Sequence, residues 1–348
     1  MVDLADAPAP QDGPEVAVIV PARNEAHQIA QCLRSLLAQE WPRLRVICVD
    51  DRSDDGTYEA ARALDDPRLL VLRGRDLPAG WIGKSWANAQ GVEAAAGAGY
   101  LLFTDADTVH APAALRSSMA AAQERGVDLL SLFTNLRCET FWERLLLPAI
   151  ISSITLRFPM RRVNDPKKAD AIANGQYLLA RRDAYDAVGG HAAIRNRVAD
   201  DLELARLFKS SGRRLWVANG RPFVAVRMYT SLREIWWGFV KNATAGSGGP
   251  LPALLAAALI SLSMLPFAVL PFAVLPFARE PRLLVPALAG VLLALATRAF
   301  LQSLLFDVPM LYVLMAPLAA LCFAGIVLHS ALRQLAGVGQ VWKGRAIP

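Results

Sequence analysis

Before residue 235 the chain alternates two rhythms of apolar and polar positions; after residue 250 it keeps to one. Val16-Ala17-Val18-Ile19-Val20 is an unbroken apolar run closed by Pro21, the pattern of a strand buried on both faces. Ile29, Leu33, Leu36 and Leu37 then recur at helical spacing and predict a helix over 25–39. Arg45-Val46-Ile47-Cys48-Val49-Asp50 predicts a second strand, and a helix follows Gly56 through Leu64. Residues 69–73 predict a third strand, 84–96 a helix, 100–104 a fourth strand and 128–134 another. This alternation implies an α/β fold with a doubly wound, mostly parallel sheet flanked by helices. Such sheets bind ligands beyond the carboxyl ends of their strands. Three polar clusters fall there: Arg23-Asn24-Glu25, Asp50-Asp51 and Asp105-Ala106-Asp107.

The pattern changes at residue 141. Phe141, Trp142, Leu145, Leu146, Leu147, Ile150, Ile151, Ile154, Leu156 and Phe158 make a strongly apolar helix interrupted by Pro148 and flanked by Arg144, Arg157, Arg161 and Arg162. Aromatic and basic flanks on so short a stretch predict a helix over 141–162 lying at a membrane surface; a buried core helix is the alternative. From residue 251 three apolar blocks appear, 251–278, 283–306 and 309–332, each long enough for a bilayer that needs about 20 residues. Pro266, Pro271 and Pro276 interrupt the first block, which also repeats Pro-Phe-Ala-Val-Leu. Two to three spans are expected, followed by a basic tail over 333–348 carrying Arg333, Lys343 and Arg345. A domain on the cytoplasmic side, followed by three full crossings, would leave that tail outside, against the positive-inside tendency. The first block is therefore the candidate for a re-entrant or interfacial segment.

Composition sharpens this division. Apolar residues make up 54% of the 348-residue chain and charged residues 20%, but after Glu234 the only acidic residues are Glu280 and Asp307. The formal net charge is +6. No RNA- or DNA-binding motif or dense basic run accompanies it, so nucleic acid is not the expected partner; anionic lipid headgroups or a diphosphate are. Cys32, Cys48, Cys138 and Cys322 form no CxxC pair, which argues against a disulfide framework or zinc site and fits a reducing, cytoplasm-facing domain. Residues 1–14 are acidic and rich in Pro and Ala and lack the basic and apolar stretches of a signal peptide; a disordered lead is expected there, with the catalytic domain over 15–240.

Four stretches can carry chemistry. Asp105 and Asp107, one residue apart after a strand, can address a hard divalent cation and a sugar hydroxyl together, although an isolated Asp-x-Asp is also a common solvated turn. Asp50 and Asp51 can accept hydrogen bonds from a base or ribose, while Asp54 and Asp55 suit a helix cap. Asp200-Asp201 opens a helix, whose exposed N–H groups favour the anion and lower its pKa, and a carboxylate there can take a proton from a hydroxyl. Lys84, in Gly80-Trp81-Ile82-Gly83-Lys84 at a helix start, can meet phosphate, although the P-loop spacing is absent. Asn174-Gly175-Gln176-Tyr177 and Val188-Gly189-Gly190-His191 suggest close backbone approach, with His191 read as a hydrogen-bonded structural histidine more readily than as an acid or base.

Taken in order, Val20-Pro21-Ala22-Arg23-Asn24-Glu25, Val49-Asp50-Asp51 through Gly56-Thr57, Thr104-Asp105-Ala106-Asp107 and Asp200-Asp201 resemble the inverting family 2 glycosyltransferases of GT-A fold over roughly residues 15–230. Gly80 through Gly91, Asn174 to Arg182 and Trp342-Lys343-Gly344-Arg345 are similar to the bacterial membrane-bound branch that glycosylates polyisoprenoid-type lipids, such as carotenoid acids and hopanoids. The resemblance implies that Pro21, Ala22 and Glu25 line the nucleotide pocket, that Asp51 contacts the base with support from Asp50, and that Asp105 meets donor ribose or sugar. It implies a Mg2+ or Mn2+ ion on Asp107 with Asp105, and Asp201 as general base beside Asp200. The donor expected is a nucleotide sugar, a UDP-sugar first, and the acceptor a membrane lipid. Asp200 stands where the family usually has glutamate, and the Gln-x-x-Arg-Trp motif of processive synthases is missing, the nearest stretch being Ser231-Leu232-Arg233-Glu234-Ile235-Trp236-Trp237. A single transfer is therefore expected.

Three rival classes are weaker. A nucleotidyltransferase would carry a Gly-rich phosphate loop after the first strand, where Pro21-Ala22-Arg23-Asn24-Glu25 stands. A non-catalytic lipid- or nucleotide-sugar-gathering subunit would be expected to lose acidic positions, and all three acidic sites are present. A transporter would need more intramembrane charge than Arg298 supplies.

Overall fold

The structure is a computed structural model that describes residues 3–8, 10–274, 281–338, 340–342 and 345–347. It divides into two compact units, one of residues 1–136 and 158–228, the other of 137–157 and 229–348.

The strands of the first unit are β1 (Val16–Ala22), β2 (Leu44–Asp50), β3 (Leu69–Arg73), β4 (Tyr100–Phe103), β5 (Thr108–His110), β6 (Leu129–Phe133), β7 (Asn135–Leu136), β8 (Leu178–Arg181), β9 (Leu215–Asn219) and β10 (Val224–Val226). Seven of them form one sheet in the order β3-β2-β1-β4-β8-β6-β9, and β5, β10 and β7 form a small second sheet. β1 pairs in parallel with β2 on one side, Val16 with Leu44 through Ala22 with Asp50, and with β4 on the other. The sheet is mostly parallel, as expected, with β8 running antiparallel between β4 and β6. Val16 through Val20 are wholly buried, which is why that segment is apolar without alternation.

Helices α1 (Ile29–Leu37), α2 (Thr57–Arg62), α3 (Gly83–Ala94) and α4 (Ala114–Arg125) follow the first strands. α1 turns Ile29, Cys32, Leu33 and Leu36 inward. α3 has no comparable apolar stripe and approaches the sheet through small residues, Ala87 and Gly91 among its buried positions. A Cβ on Gly91 would collide with the Ile19 side chain, so the close packing of α3 on β1 depends on glycine there. Farther along are α5 (Phe141–Arg157) in the second unit and, in the first, α6 (Met160–Val163), α7 (Arg182–Ala187), α8 (Gly190–Ala193) and α9 (Asp200–Ser210).

Part of the expected disordered lead is tied down. Leu4 is buried in the apolar cluster beneath the sheet, its N–H donates to the Asn219 carbonyl at 3.1 Å, and Asn219 Nδ2 donates to Asp3 Oδ1 at 2.7 Å. One apolar side chain with somewhere to go is enough to order a few flanking residues.

The second unit contains α10 (Leu232–Ser247), α11 (Pro250–Leu262), α12 (Leu265–Val274), α13 (Pro281–Leu305), a 3-10 turn over Met310–Met315, α14 (Ala316–Leu335) and a hairpin of β11 (Gln340–Trp342) and β12 (Arg345–Ile347). Among the described residues, three helical stretches are long and apolar enough to cross a membrane: Pro250–Val274, Arg282–Leu305 and Met310–Leu335. The first breaks at Ser263-Met264, about two turns ahead of Pro271 and immediately before the Leu265-Pro266 restart. Pro276, Arg279, Glu280, Lys343 and Gly344 lie outside the described residues. α11 and α14 meet through small side chains, Ala253 and Ala257 with Val327 and Ala331, the kind of surface that lets helices approach closely in an apolar medium. Ser330 Oγ donates to the Val240 carbonyl at 2.6 Å and accepts from Thr244 N at 3.2 Å, and Trp236 Nε1 donates to His329 Nδ1 at 2.9 Å.

α5 belongs with these helices rather than with the catalytic domain in which 15–240 was expected to lie. It buries Leu145, Leu146, Leu147 and Ile150 and packs on α10, α13 and α14. Only its ends expose large apolar groups, Phe141 and Leu156. The buried-helix alternative therefore describes its middle better than a helix lying on a surface, because its apolar residues surround the helix instead of lining one stripe.

Candidate active site

The first part of the site is the rim made by the ends of β1 and β2. Asp51 N donates to the Ala22 carbonyl at 2.7 Å, continuing the ladder past Asp50. Arg23 Nη1 reaches across to the Asp51 carbonyl at 2.6 Å. Asn24 N donates to Ser53 Oγ and Asn24 Oδ1 accepts from Asp54 N, at 3.0 and 3.2 Å. Glu25 N donates to Thr57 Oγ1 at 2.8 Å. Asn24 and Arg52 hold positive φ, 53° and 57°. That conformation is tolerable for asparagine and costly for arginine, and it persists because the surrounding bonds over-determine both loops. Asp50 is wholly buried and accepts from Ser53 N at 3.3 and 3.4 Å. Asp55 accepts from Thr57 N and Ala26 N, both at 3.0 Å. Burial would raise its carboxyl pKa, but the Thr57 hydroxyl and these two amides together hold it below the usual range. The N-cap of α2 is Gly56, with no side-chain cap bond, so Asp55 braces the turn one residue ahead of the cap instead of being the cap expected at Asp54 or Asp55.

Beside this rim is an open depression of about 500 Å³ lined by Arg52, Ser53, Arg73, Gly74, Arg75 and Asp76. Its walls are braced from outside. Arg75 pairs with Glu93 at 2.6 Å and lies over the Trp86 ring, while Arg73 lies over Tyr58. Gly74 N donates to the Asp50 carbonyl at 2.8 Å, and a Cβ there would stand 2.9 Å from that same oxygen.

The second part brings together residues distant in sequence. Lys84, at the start of α3, places Nζ 2.7 Å from Asp105 Oδ1 and 3.6 Å from Asp200 Oδ2. Gly175 N donates to Asp201 Oδ2 at 3.1 Å, and Leu202 N to Asp201 Oδ1 at 2.7 Å. A Cβ on Gly175 would lie 3.0 Å from Lys84 Nζ and 3.5 Å from Asp201 Oδ2, so glycine is what lets the ammonium, the base candidate and this backbone share the space. Burial alone would lower the Lys84 pKa; Asp105, Asp200 and Asp201 together outweigh it and raise it above the ordinary lysine range, so Lys84 stays charged.

The Asp201 carboxyl is pushed up to about 6, by burial first and by the neighbouring Asp200 charge second, with Lys84 and the two backbone N–H groups pulling the other way. This reverses the depressed pKa expected from its place at a helix start, because desolvation and a like charge exceed the helix-end effect. A carboxylate of this kind is ionised at neutral pH and basic enough to take a proton.

His191 is structural. Asn88 Nδ2 meets its Nε2 at 3.1 Å and Tyr185 Oη its Nδ1 at 2.8 Å, and burial lowers its pKa to about 4. Sequence reasoning passed over His110, Thr104, Thr108 and the Asn174 side chain, whose connections are tertiary.

Among the described residues no group of three or more Asp, Glu, His or Cys converges as a self-sufficient metal cage. The donors after β4, Asp105 and Asp107, still suit Mg2+ or Mn2+, since such an ion takes one or two carboxylates and completes its shell with phosphate oxygens and water. The close ammonium on Asp105 marks the same place as favourable to positive charge.

Residues 17–189 match the profile of "Glycosyl transferase family 2". Two curated relatives from Staphylococcus aureus, each named 4,4'-diaponeurosporenoate glycosyltransferase, are 31% (strain MRSA252) and 30% (strain USA300) identical over 251 residues, 70% of this chain. The chain spans 64% of the length of each relative. The structure of mannosyltransferase PcManGT from Pyrobaculum calidifontis, in complex with GDP-Man and Mn2+, superposes with a TM-score of 0.54 at 20% identity, covering 94% of this chain and 89% of that one; the likeness is one of fold. The sheet order, the motifs at its carboxyl edge and the profile match together mark residues 17–189 as a glycosyl transferase family 2 domain.

Proposed function

We propose that the chain transfers one sugar from a nucleotide-sugar donor to a membrane lipid acceptor of polyisoprenoid, carotenoid or hopanoid type, by a single displacement that inverts the anomeric centre. The observation that carries this reading is the Lys84–Asp105–Asp200–Asp201 cluster, in which the partly exposed Asp201 carboxylate is lifted to about 6 beside a retained ammonium. The names of the Staphylococcus aureus relatives favour a carotenoid-type acceptor, and the three apolar stretches favour membrane association.

The donor base sits against Asp51, which the buried Asp50 supports from behind, and the nucleotide extends over the arginine-lined depression, with Pro21, Ala22 and Glu25 forming the adjoining wall. The donor expected first is a UDP-sugar. Asp107 and Asp105 would hold a divalent ion, which would offset the negative charge of the departing nucleoside diphosphate. Lys84 adds a fixed positive charge at the same place. Asp201 accepts the proton of an acceptor hydroxyl as the anomeric carbon is attacked; a carboxylate acceptor would need no such removal. Asp200 keeps Asp201 basic by repulsion. The first unit faces the cytoplasm, where nucleotide sugars are made, and the C-terminal helices anchor the chain.

Nucleotide release by the purified, detergent-solubilised protein tests this. UDP-, GDP- and dTDP-sugars are each offered with Mn2+ or Mg2+ and a polyisoprenoid lipid extract, alongside Asp107→Ala and Asp201→Ala. Metal-dependent release that requires lipid and is lost in both variants is expected. No release from any donor by folded protein would point instead to a non-catalytic binding subunit.

A further inference from the structure

Behind the Asp105 turn is a buried knot of three side chains that the reaction does not touch, with the Cys32 thiol beside it donating toward the Asp105 carbonyl at 3.6 Å and 3.7 Å from Thr108 Oγ1. Thr104 follows β4, and Thr108 and His110 lie on β5; all three are 4% exposed or less. Thr104 Oγ1 donates to the Gln176 carbonyl and Thr108 Oγ1 to the Asp105 carbonyl, each at 2.8 Å. His110 Nε2 is 3.1 Å from the first hydroxyl and 2.9 Å from the second, and the hydroxyls are 3.0 Å from each other. His110 Nδ1 is buried with no hydrogen-bond partner among the described residues.

The protons can be counted. Each threonine has one, and both are spent on the two carbonyls. The contacts to His110 must then be donated by the ring, so its single N–H is on Nε2 and is shared between the hydroxyls. The opposite tautomer would bury an unpaired N–H at Nδ1, whereas this one leaves only an unused lone pair, and orphaned buried N–H groups are the rarer and costlier case. A ring kept neutral suits this arrangement; burial lowers the His110 pKa to about 3.

The two carbonyls lead to opposite sides of the site. Asp105 carries the carboxylate that meets Lys84. Gln176 belongs to the segment whose Gly175 N–H holds Asp201. That segment is also anchored by Asn174 N on Ser131 Oγ at 2.8 Å, Asn174 Nδ2 on the Leu132 carbonyl at 3.2 Å and on Gln176 Oε1 at 3.1 Å, and the Thr134 hydroxyl on Gln176 Oε1, but the Thr104 hydroxyl is what joins its Gln176 carbonyl to the Asp105 turn. Without the ring proton, the adjacent hydroxyls would satisfy each other and one carbonyl would lose its donor.

We infer that His110 is a positioning residue: its one ring N–H frees both threonine protons, fixing the Asp105 turn and the Gly175 amide that aims Asp201, so that the donor and acceptor sides of the site are set together. This rests on the roles proposed above for Asp105 and Asp201.

The test uses the full chain and four variants, His110→Phe, His110→Gln, Thr108→Val and Thr104→Val. Melting temperature, Mn2+-dependent UDP and GDP binding by calorimetry, turnover, and the 15N shifts of labelled histidine are read in each. His110→Phe keeps an aromatic ring beside Tyr177, 5.7 Å away between centroids, without the N–H, and is expected to lower kcat by about tenfold to a hundredfold, the scale of a small misplacement of reacting groups, and to weaken nucleotide binding. His110→Gln, whose amide N–H2 can serve both hydroxyls, is expected to restore both to within about threefold. Thr108→Val should reproduce mainly the binding defect and Thr104→Val mainly the kcat defect. The wild-type spectrum should show a neutral Nε2–H ring that does not titrate between pH 5 and 8. Wild-type binding and turnover in His110→Phe, an equally impaired but equally stable His110→Gln, or an Nδ1–H ring would each overturn the inference. If the wild type binds nucleotide but transfers no sugar, the transferase reading fails while the binding and 15N arms still decide the role of His110.

Discussion

Asp50-Asp51 and Asp200-Asp201 are both acidic pairs at the edge of a regular element, one closing β2 and the other opening α9. Their surroundings differ. Asp50 is wholly buried and turned onto the Ser53 amide of its own loop, and its carbonyl accepts from Arg52 N and Gly74 N, both at 2.8 Å. Asp200 and Asp201 instead share a small space with the Lys84 ammonium. A carboxylate satisfied by nearby backbone amides organises a loop. Asp201 also accepts from two backbone amides, but a like charge and an ammonium beside it leave a proton affinity that chemistry can use.

The largest expected effect separates the pairs by kind. Asp201→Asn should cut turnover by about a hundredfold or more, the range for a general base, while the protein stays folded. Asp50→Ala should act mainly on stability, by about 1–3 kcal/mol for a buried amide left without its acceptor. Turnover per folded molecule and urea melts distinguish the two, and equal losses of both kinds in both variants would erase the comparison.

Lys84→Met comes next. Removing the ammonium takes away an interaction that lowers the Asp201 pKa, so the acid limb of the pH–rate profile should move to higher pH and donor binding should weaken. In the wild type that limb should lie near pH 6, with activity falling as pH drops and Asp201 takes up its proton.

The same shift has a stability consequence of opposite sense to function. The folded Asp201 pKa lies above its ordinary value, so the folded state favours the protonated form. The stability this lends is fully present below about pH 4 and is lost as pH rises through about 6. Relative to wild type, Asp201→Asn should therefore be more stable at pH 7 than it is at pH 4. Thermal melts at the two pH values check it.

Smaller effects probe the geometry of each pair. Gly175→Ala puts a methyl 3.0 Å from Lys84 Nζ and should lower kcat several-fold without changing the melting temperature much, since a flexible ammonium can give way. Asp55→Ala removes the acceptor for Thr57 N and Ala26 N and should cost about 1 kcal/mol, the scale of a lost hydrogen bond, with turnover nearly intact.

Much of this molecule was legible in one dimension. Apolar runs ending at Pro21, Asp50 and Thr104 located three parallel strands within a residue or two, because a strand buried on both faces cannot hide its composition. The same runs put the acidic clusters at the carboxyl edge, and the charge-free stretch after residue 250 marked the apolar helices. These are local properties, carried by neighbours two to four positions apart. The tertiary structure decided the rest. β8 runs antiparallel because Leu178–Arg181 fills the gap between two strands from elsewhere in the chain. α5 packs with the C-terminal helices although it interrupts the catalytic sequence. Lys84, read as a phosphate contact, also joins Asp105 to Asp200; Asp201 is raised instead of lowered; and a histidine with no motif around it ties two halves of the site together. Pairing and proton affinity depend on what burial and folding bring within a few ångströms, and residues far apart in sequence carry no periodic trace of it.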